Sequence, residues 1–281
     1  MRALPRILRR MSLRNAVIFL VLSCVALTTV YPLVYMATTA LKTEREFIDN
    51  PRGLPSEPSL WNFQAAWVHG QFARYAGNSA IVVVAGVMVS WVVCSMAGYA
   101  LSHLRFRGRR LAFFAILGSM MIAPQVILIP LYGMLNGLGL LNQHAGLILV
   151  YVTLATPFGT YLMTSYLRSV PHELVEAAEV DGAGHFQILW RVMLPIARPA
   201  LVTLGIFNFL WMWNELLFAL VILNDPATRT LMAGIANLKG QYTTNIPYLS
   251  AGLFLAAAPV LIVFLIFQTQ LSKGMTLGAV K

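Results

Sequence analysis

The chain has 281 residues, of which 58% are hydrophobic and only 11% are charged, and its mean hydropathy is +0.72. Soluble domains carry roughly 25% charged residues, so this composition excludes an ordinary soluble protein and predicts a membrane protein. The net charge of +10 does not indicate a nucleic-acid interface, because the Lys and Arg residues lie between apolar blocks and not on one soluble face.

Runs of sequence with few or no charged residues predict six membrane-spanning helices. A helix needs about 20 apolar residues to cross a bilayer. The block 111–167 is too long for one crossing, and the polar, glycine-rich segment 136–144 divides it into two. The six predicted spans cover residues 15–41, 75–104, 111–135, 145–167, 199–223 and 241–272. Three prolines are expected to kink the third and fourth spans, namely Pro124, Pro130 and Pro157.

The distribution of basic residues indicates how the chain is oriented in the membrane. With both termini in the cytoplasm, the cytoplasmic segments hold 14 of the 20 Lys and Arg residues, as the positive-inside rule favours. We therefore expect an all-α integral membrane protein with a basic cytoplasmic N-terminus at 1–14, a six-span transmembrane domain at 15–272 and a cytoplasmic tail at 273–281. The first span is too long for the core of a signal peptide and is interpreted as an uncleaved anchor. The domain includes an outer loop at 42–74 and a cytoplasmic loop at 168–198.

The outer loop 42–74 contains an amphipathic stretch at Ser59–Trp67 that predicts a short helix. Its aromatic residues suit an anchor at the membrane interface. The alternative is a docking surface for an external partner.

Four of the ten acidic residues lie within Glu173–Asp181, in the cytoplasmic loop. A short helix is predicted there, because Glu173 and Glu176 favour its N-terminal end and Gly182 can adopt the left-handed conformation that ends a helix. Three small or apolar residues would let another surface approach the helix closely, namely Leu174, Ala177 and Ala178. The flanking carboxylates repel anionic lipid headgroups, so we expect the helix to face a protein groove that contains Lys or Arg.

The same loop resembles a motif of a known family. Glu176-Ala177-Ala178 is followed by Gly182, Val192 and Leu194-Pro195, and these spacings resemble the E-A-A loop of binding-protein-dependent bacterial ABC importers. Val192 stands where the family pattern has Ile. Four more segments resemble the maltose-permease type, which is the carbohydrate-uptake branch: Ala40–Thr43, Asn78-Ser79, Trp213–Glu215 and Lys273–Lys281.

The resemblance implies the fold of a type I ABC importer permease in the bacterial inner membrane. The chain would form half of the translocation pathway, with a second homologous permease, two ATP-binding subunits and an external substrate-binding protein as partners, surrounded by membrane lipid. The helix at Glu176–Gly182 would be the coupling helix, seated in a cleft of an ATP-binding subunit. The implied ATPase-coupling residues are Glu176, Ala177, Ala178, Asp181, Gly182, Leu194 and Pro195.

The sequence contains no motif for chemistry within the chain itself. None of the four lysines lies in the pattern G-x-x-x-x-G-K-[ST] that binds nucleotide phosphates. Cys24 and Cys94 lie in apolar stretches, and no cluster of residues suits a metal ion or a nucleophile with its base. We therefore expect a transport subunit and not an enzyme, with no bound cofactor or metal, while ATP and Mg²⁺ bind to the partner ATPase subunits.

Glu215 is the one acidic residue inside a predicted span, where a charge at the helix centre costs about 2.5–3.5 kcal/mol to insert. It should therefore face the bundle interior or an aqueous cavity. With the amides and indoles near it, Glu215 offers the hydrogen bonds and aromatic faces that a neutral sugar needs. The substrate-pathway candidates are Asn208, Trp211, Asn214 and Glu215. The alternative is that Glu215 is a structural link between helices.

The resulting hypothesis is a permease subunit of an ATP-driven importer for a sugar or oligosaccharide. The same importer class could instead carry glycerol phosphate or another small solute, although the six spans contain no Lys or Arg to meet an anionic group. A secondary transporter acting alone fits less well, because it would need ion-coupling carboxylates near the middle of the membrane.

Overall fold

The computed structural model describes residues 13–237 and 245–277, and it describes side chains for 14–237 and 245–269. Within these ranges the secondary structure is helical and no strand occurs. The α-helices are α1 (Leu13–Ala40), α2 (Glu44–Asp49), α3 (Trp61–Val68), α4 (Phe72–His103), α5 (Arg109–Gly118), α6 (Leu128–Gly137), α7 (His144–Leu167), α8 (Glu173–Val180), α9 (His185–Ile188), α10 (Leu194–Ile196), α11 (Arg198–Asn214), α12 (Leu217–Ile222), α13 (Leu231–Ala236) and α14 (Ile246–Leu277). Short 3₁₀ helices occur at Ser119–Met121 and Pro124–Ile127, and a π-helical turn at Leu189–Met193.

Four of these helices, α1, α4, α7 and α14, are long and apolar enough to cross a membrane. Two more apolar pairs are sharply bent, by 91° between Arg109–Met121 and Pro124–Gly137 and by 80° between His185–Ile196 and Arg198–Asn214. With each bent pair taken as one span, the described residues contain up to six spans. The predicted all-α membrane fold is therefore confirmed, while most of the basic segment 1–14 and the end of the tail 273–281 lie outside the described residues.

The third span, predicted at 111–135 with kinks at its prolines, is bent by 91° directly before Pro124. The chain leaves the helical conformation at Ile122 and Ala123, whose ψ angles of 119° and 124° are extended, directly before Pro124. A proline disfavours the helical conformation in the residue before it and has no N–H to donate, which explains the break. Pro157 has a different effect, because α7 runs through it without interruption.

The fifth span is broken as well, although one helix was predicted at 199–223. Helix α11 ends at Asn214, and the six-residue α12 begins at Leu217. Between them Glu215 is extended, with ψ at 128°. The acidic residue that the sequence placed inside a continuous span therefore lies at a gap between two helices.

The described residues divide into two compact units. In the first unit, which runs up to Gly70 and includes residues 245–255, polar contacts organise the segment after α1. The side-chain amide of Asn62 on α3 donates hydrogen bonds to the carbonyl oxygens of Ala40 and Lys42, at 2.8 and 2.7 Å. These bonds hold the short helix that was predicted at Ser59–Trp67, which occurs as α3, against the end of α1.

The second unit contains Gln71–Asn237 and the chain from Ala256, and it is built around the close pairing of α4 with α7. A Cβ added at Gly98 of α4 would lie 2.6 Å from the Cβ of Met163, and one at Gly159 of α7 would overlap the sulfur of Cys94. The absence of side chains at the two glycines lets the helices approach closely. The α4–α7 pair forms the base on which the loop after α7 packs.

Candidate functional site

Helix α8 is held against this base by one of its faces. Val175 is 3% exposed and belongs to the same buried core as Tyr99 of α4 and Leu167 of α7, with Ala178 packed against that core. The helix occupies Glu173–Val180, as the sequence predicted within Glu173–Asp181. Because its buried face is anchored at the ends of two long helices, a force applied to α8 reaches both of them.

The end of α8 is a left-handed turn at Gly182, whose φ is +80°. The N–H of Gly182 donates to the carbonyl oxygen of Glu179 at 3.0 Å, and the N–H of Ala183 donates to that of Ala178 at 2.9 Å. This arrangement satisfies carbonyl groups that a helix end otherwise leaves free. The turn predicted at Gly182 therefore occurs as expected.

The outward face of α8 differs from the predicted stripe of Leu174, Ala177 and Ala178. Ala178 lies on the inward face with Val175, three residues before it, and the exposed apolar residues are Leu174, Ala177 and Val180. Both faces carry small apolar residues, so helical periodicity alone did not distinguish them. The exposed face also carries two acids of the predicted coupling set, Glu176 and Asp181, and it ends at the exposed Gly182.

The last two predicted coupling residues are neighbours in sequence but differ in exposure. Leu194 is buried in the same core as Val175, whereas Pro195 is exposed. A π-helical turn at Leu189–Met193 directly precedes them. Of the predicted set, Ala178 and Leu194 therefore support the loop from within, and the others lie at the surface.

A cavity of about 550 Å³ lies between α8 and the end of α4. Its wall includes both Glu176 and Glu179 together with Arg105. Three histidines that the sequence did not single out also line it, namely His103, His172 and His185. These residues are far apart in the chain and form no local pattern, so no signal in the sequence indicated that they meet.

The histidines make specific contacts around this cavity. The rings of His103 and His172 lie edge to face with centroids 5.2 Å apart, and Tyr99 stacks on His103 at 5.5 Å. Nδ1 of His185 lies 3.7 Å from the carboxylate of Glu179. Among the described residues no group of three or more His, Cys, Asp or Glu has a geometry that could hold a metal ion.

Glu215 caps the helix that follows it. One carboxylate oxygen accepts the N–H of Phe218 at 2.9 Å, and the other accepts the N–H of Ala219 at 3.2 Å and the hydroxyl of Tyr151 at 2.8 Å. These bonds satisfy free N–H groups at the start of α12 and link the break to α7. The carboxylate therefore binds groups of the chain itself, which favours the interpretation of Glu215 as a structural link between helices.

The other pathway candidates lie in different surroundings. Asn208 is buried and its side-chain amide donates to the hydroxyl of Ser90 on α4 at 2.8 Å, so it joins two helices. Asn214 is exposed and donates to the carbonyl oxygen of Leu210 within its own helix. Trp211 is 39% exposed and lines a second cavity, so it is the candidate best placed to meet a solute.

Comparison with known proteins identifies the family. Residues 94–277 match the model of the binding-protein-dependent transport system inner membrane component. The chain belongs to this family. The matched range includes α8, the Gly182 turn and Pro195, and thus the whole segment that resembles an E-A-A loop.

Individual relatives cover nearly the whole permease. A protein of Caldicellulosiruptor sp. named as an ABC transporter permease is 36% identical over 264 residues, which are 94% of this chain and 96% of the relative. The diacetylchitobiose uptake system permease protein NgcG of Streptomyces coelicolor is 33% identical over 89% of this chain and 83% of its own length. The arabinooligosaccharides transport system permease protein AraQ of Halalkalibacterium halodurans is 31% identical over 92% and 93%.

Solved structures agree with the permease fold. The crystal structure of a bacterial ABC transporter involved in the import of the acidic polysaccharide alginate matches with a TM-score of 0.79 and 26% identity, covering 92% of this chain and 98% of that chain. A chain from the alginate transporter in complex with its pentasaccharide-bound periplasmic protein matches with a TM-score of 0.66 at 17% identity and supports the fold alone. The predicted permease fold and the multi-pass location in the plasma membrane are confirmed.

Proposed function

We propose that the permease is one transmembrane subunit of an ATP-driven importer for a sugar or oligosaccharide. The observation that carries the proposal is α8, an exposed, acid-edged helix whose opposite face is buried against the ends of α4 and α7. The cargo follows from the relatives, since NgcG is named for diacetylchitobiose and AraQ for arabinooligosaccharides.

In this importer a second homologous permease completes the pathway, and an external substrate-binding protein delivers the sugar. Two ATP-binding subunits bind ATP with Mg²⁺ and hydrolyse it. The chain itself contributes no catalytic residue and binds no cofactor. This division of labour agrees with the lack of a nucleotide-binding motif in the sequence.

The coupling step uses the two faces of α8. Glu176, Ala177, Asp181 and Gly182 meet a cleft of the ATPase subunit, and a basic side chain of that cleft enters the cavity beside Glu176. When ATP closes the ATPase subunits, they move α8, and the buried Val175 transfers the movement to the α4–α7 base.

The substitution Glu176→Lys tests this proposal. A lysine would repel the basic cleft residue. We therefore expect the affinity-purified variant to retain less ATP-binding subunit than the wild type, by a factor of roughly ten or more. Insertion of the permease into the membrane should be unchanged, because Glu176 is exposed. The matched control is Glu57→Lys, which reverses an exposed acid in the predicted outer loop. Normal ATPase retention and normal ATP-dependent uptake in Glu176→Lys would refute the coupling role.

A further inference from the structure

The break in the third span opens a cavity of about 320 Å³, which lies within the usual range of ligand sites, about 300–1,000 Å³. We name it the Trp211 cavity; its wall includes Ser119, Ile122, Pro124, Thr153, Pro157 and Trp211. Thr153 and Pro157 lie on either side of the midpoint of the 24-residue α7. The cavity therefore lies near the middle of a membrane-crossing helix, beside a discontinuous span, where transporters hold their solutes.

Trp211 forms a rigid aromatic wall of this cavity. Its indole packs edge to face on Tyr151, with ring centroids 5.4 Å apart and planes at 63°. Tyr151 is 1% exposed and its hydroxyl is hydrogen-bonded to Glu215 at 2.8 Å. Tyr151, itself fixed by Glu215, therefore holds the indole in place, and 39% of the surface of Trp211 remains free for contact.

The two hydroxyl side chains of the cavity present uncharged oxygens that can accept hydrogen bonds. None of the described residues that line it is charged. The hydroxyl of Ser119 donates to the carbonyl oxygen of Ile116 at 2.7 Å, and that of Thr153 donates to Leu149 at 2.8 Å. Because each hydroxyl hydrogen is already used, both oxygens are available to accept hydrogen bonds, which the hydroxyl groups of a sugar can donate.

We propose that the Trp211 cavity is a binding subsite for one ring of a neutral sugar on its way through the membrane. Trp211 stacks on the apolar face of the ring, and the oxygens of Ser119 and Thr153 accept hydrogen bonds from its hydroxyl groups. Tyr151 and Glu215 are positioning residues that hold Trp211 in place. This inference rests on the proposed function and adds that the solute lacks a charge, since an anionic sugar would meet no cation here.

The test uses the intact importer, purified with its ATPase subunits and external binding protein and reconstituted in ATP-loaded vesicles. The probes are labelled diacetylchitobiose, raffinose and arabinotriose as neutral sugars and alginate trisaccharide as an acidic one. The quantity measured is the amount of sugar transported per ATP hydrolysed. A change limited to folding or assembly would lower transport and ATP hydrolysis together and would leave this ratio unchanged.

Trp211→Leu should lower the ratio for a neutral sugar about three- to tenfold, in line with the contribution of one aromatic contact. Trp211→Phe should retain most of the ratio, because phenylalanine keeps a flat face. Tyr151→Phe, which removes only the bond to Glu215, should lower it about twofold to threefold. The matched control Tyr161→Leu removes an exposed aromatic residue of α7 outside the cavity and should leave the ratio unchanged.

Different failures have different meanings. An unchanged ratio in Trp211→Leu overturns the subsite. Loss of the second permease from the purified Trp211→Leu complex also overturns it, because that loss would show that the cavity is an interface between subunits. Uptake of alginate trisaccharide alone overturns the neutral-sugar subsite while the importer assignment stands. A wild-type complex that contains no ATPase and transports none of the four probes overturns the proposed function together with the subsite.

Discussion

Replacing Gly182 with alanine isolates the left-handed turn that ends α8, the proposed coupling helix. Nothing lies within 4 Å of the position that the added Cβ would take, so the substitution creates no clash. Its cost is the backbone strain at a φ of +80°, which is about 1 kcal/mol for a residue with a side chain. A penalty of about 1 kcal/mol makes opening of the turn roughly five times more frequent.

The assay is amide hydrogen exchange in the segment 173–184 of the detergent-solubilised permease. The N–H of Gly182 and that of Ala183 donate the hydrogen bonds of the turn, so exchange at position 183 should be about fivefold faster in Gly182→Ala. Gly182→Asn should lie between this variant and the wild type, because asparagine tolerates the left-handed region better than alanine does.

Gly184 supplies the matched control for this experiment. It also has open space around its Cβ position, but its φ is −73°, which any residue can adopt. Gly184→Ala should therefore change exchange less than about twofold. Equal acceleration in Gly182→Ala and Gly184→Ala would refute the explanation by backbone strain.

Substitutions at two further positions test helix packing and the connection between α6 and α7 through thermal unfolding of the solubilised permease. Asn142 has a φ of +58°, and its side-chain oxygen accepts hydrogen bonds from the N–H groups of Asn224 and Asp225 at 2.7 and 2.9 Å. Asn142→Ala should therefore lower the free energy of unfolding by about 2–3 kcal/mol. Asn142→Asp keeps the acceptor and should lower it by less than about 1 kcal/mol. Gly98→Ala should cost about 1–3 kcal/mol through its contact with Met163, and equal stability of this variant and the wild type would show that α4 and α7 pack less closely than described. The control Gly118→Ala, in open space at helical φ, should be neutral or stabilising by up to about 1 kcal/mol.

The positions of the spans were predictable because lipid excludes charged groups. The fourth span was predicted at 145–167 and occurs as His144–Leu167, and the second was predicted at 75–104 and occurs as Phe72–His103. Helix α8 was predictable for a different reason, since its first-turn acids and its terminal glycine are local features. The orientation of the termini stays a prediction from the distribution of basic residues.

The breaks within spans were predictable only in part: a kink at Pro124 was expected from its local effect on the backbone, but the gap at Glu215 was not. Pro124 and Pro157 look alike in the sequence, yet the helix stops at the first and continues through the second. Glu215 caps α12 and binds Tyr151, which lies 64 residues earlier in the chain. The sequence showed that this carboxylate needed partners, but only the folded chain shows which groups they are.

The most direct test of the coupling account is a photocrosslink from the exposed face of α8. The photoreactive residue benzoylphenylalanine would replace Ala177, which is exposed on that face, and irradiation would follow in native membranes that contain the whole importer. We predict a covalent product with the ATP-binding subunit, and no such product from the same residue at Glu57 in the predicted outer loop. Products with lipid alone, or with the external binding protein, would contradict the assignment of α8 as the helix through which the ATPase drives the permease.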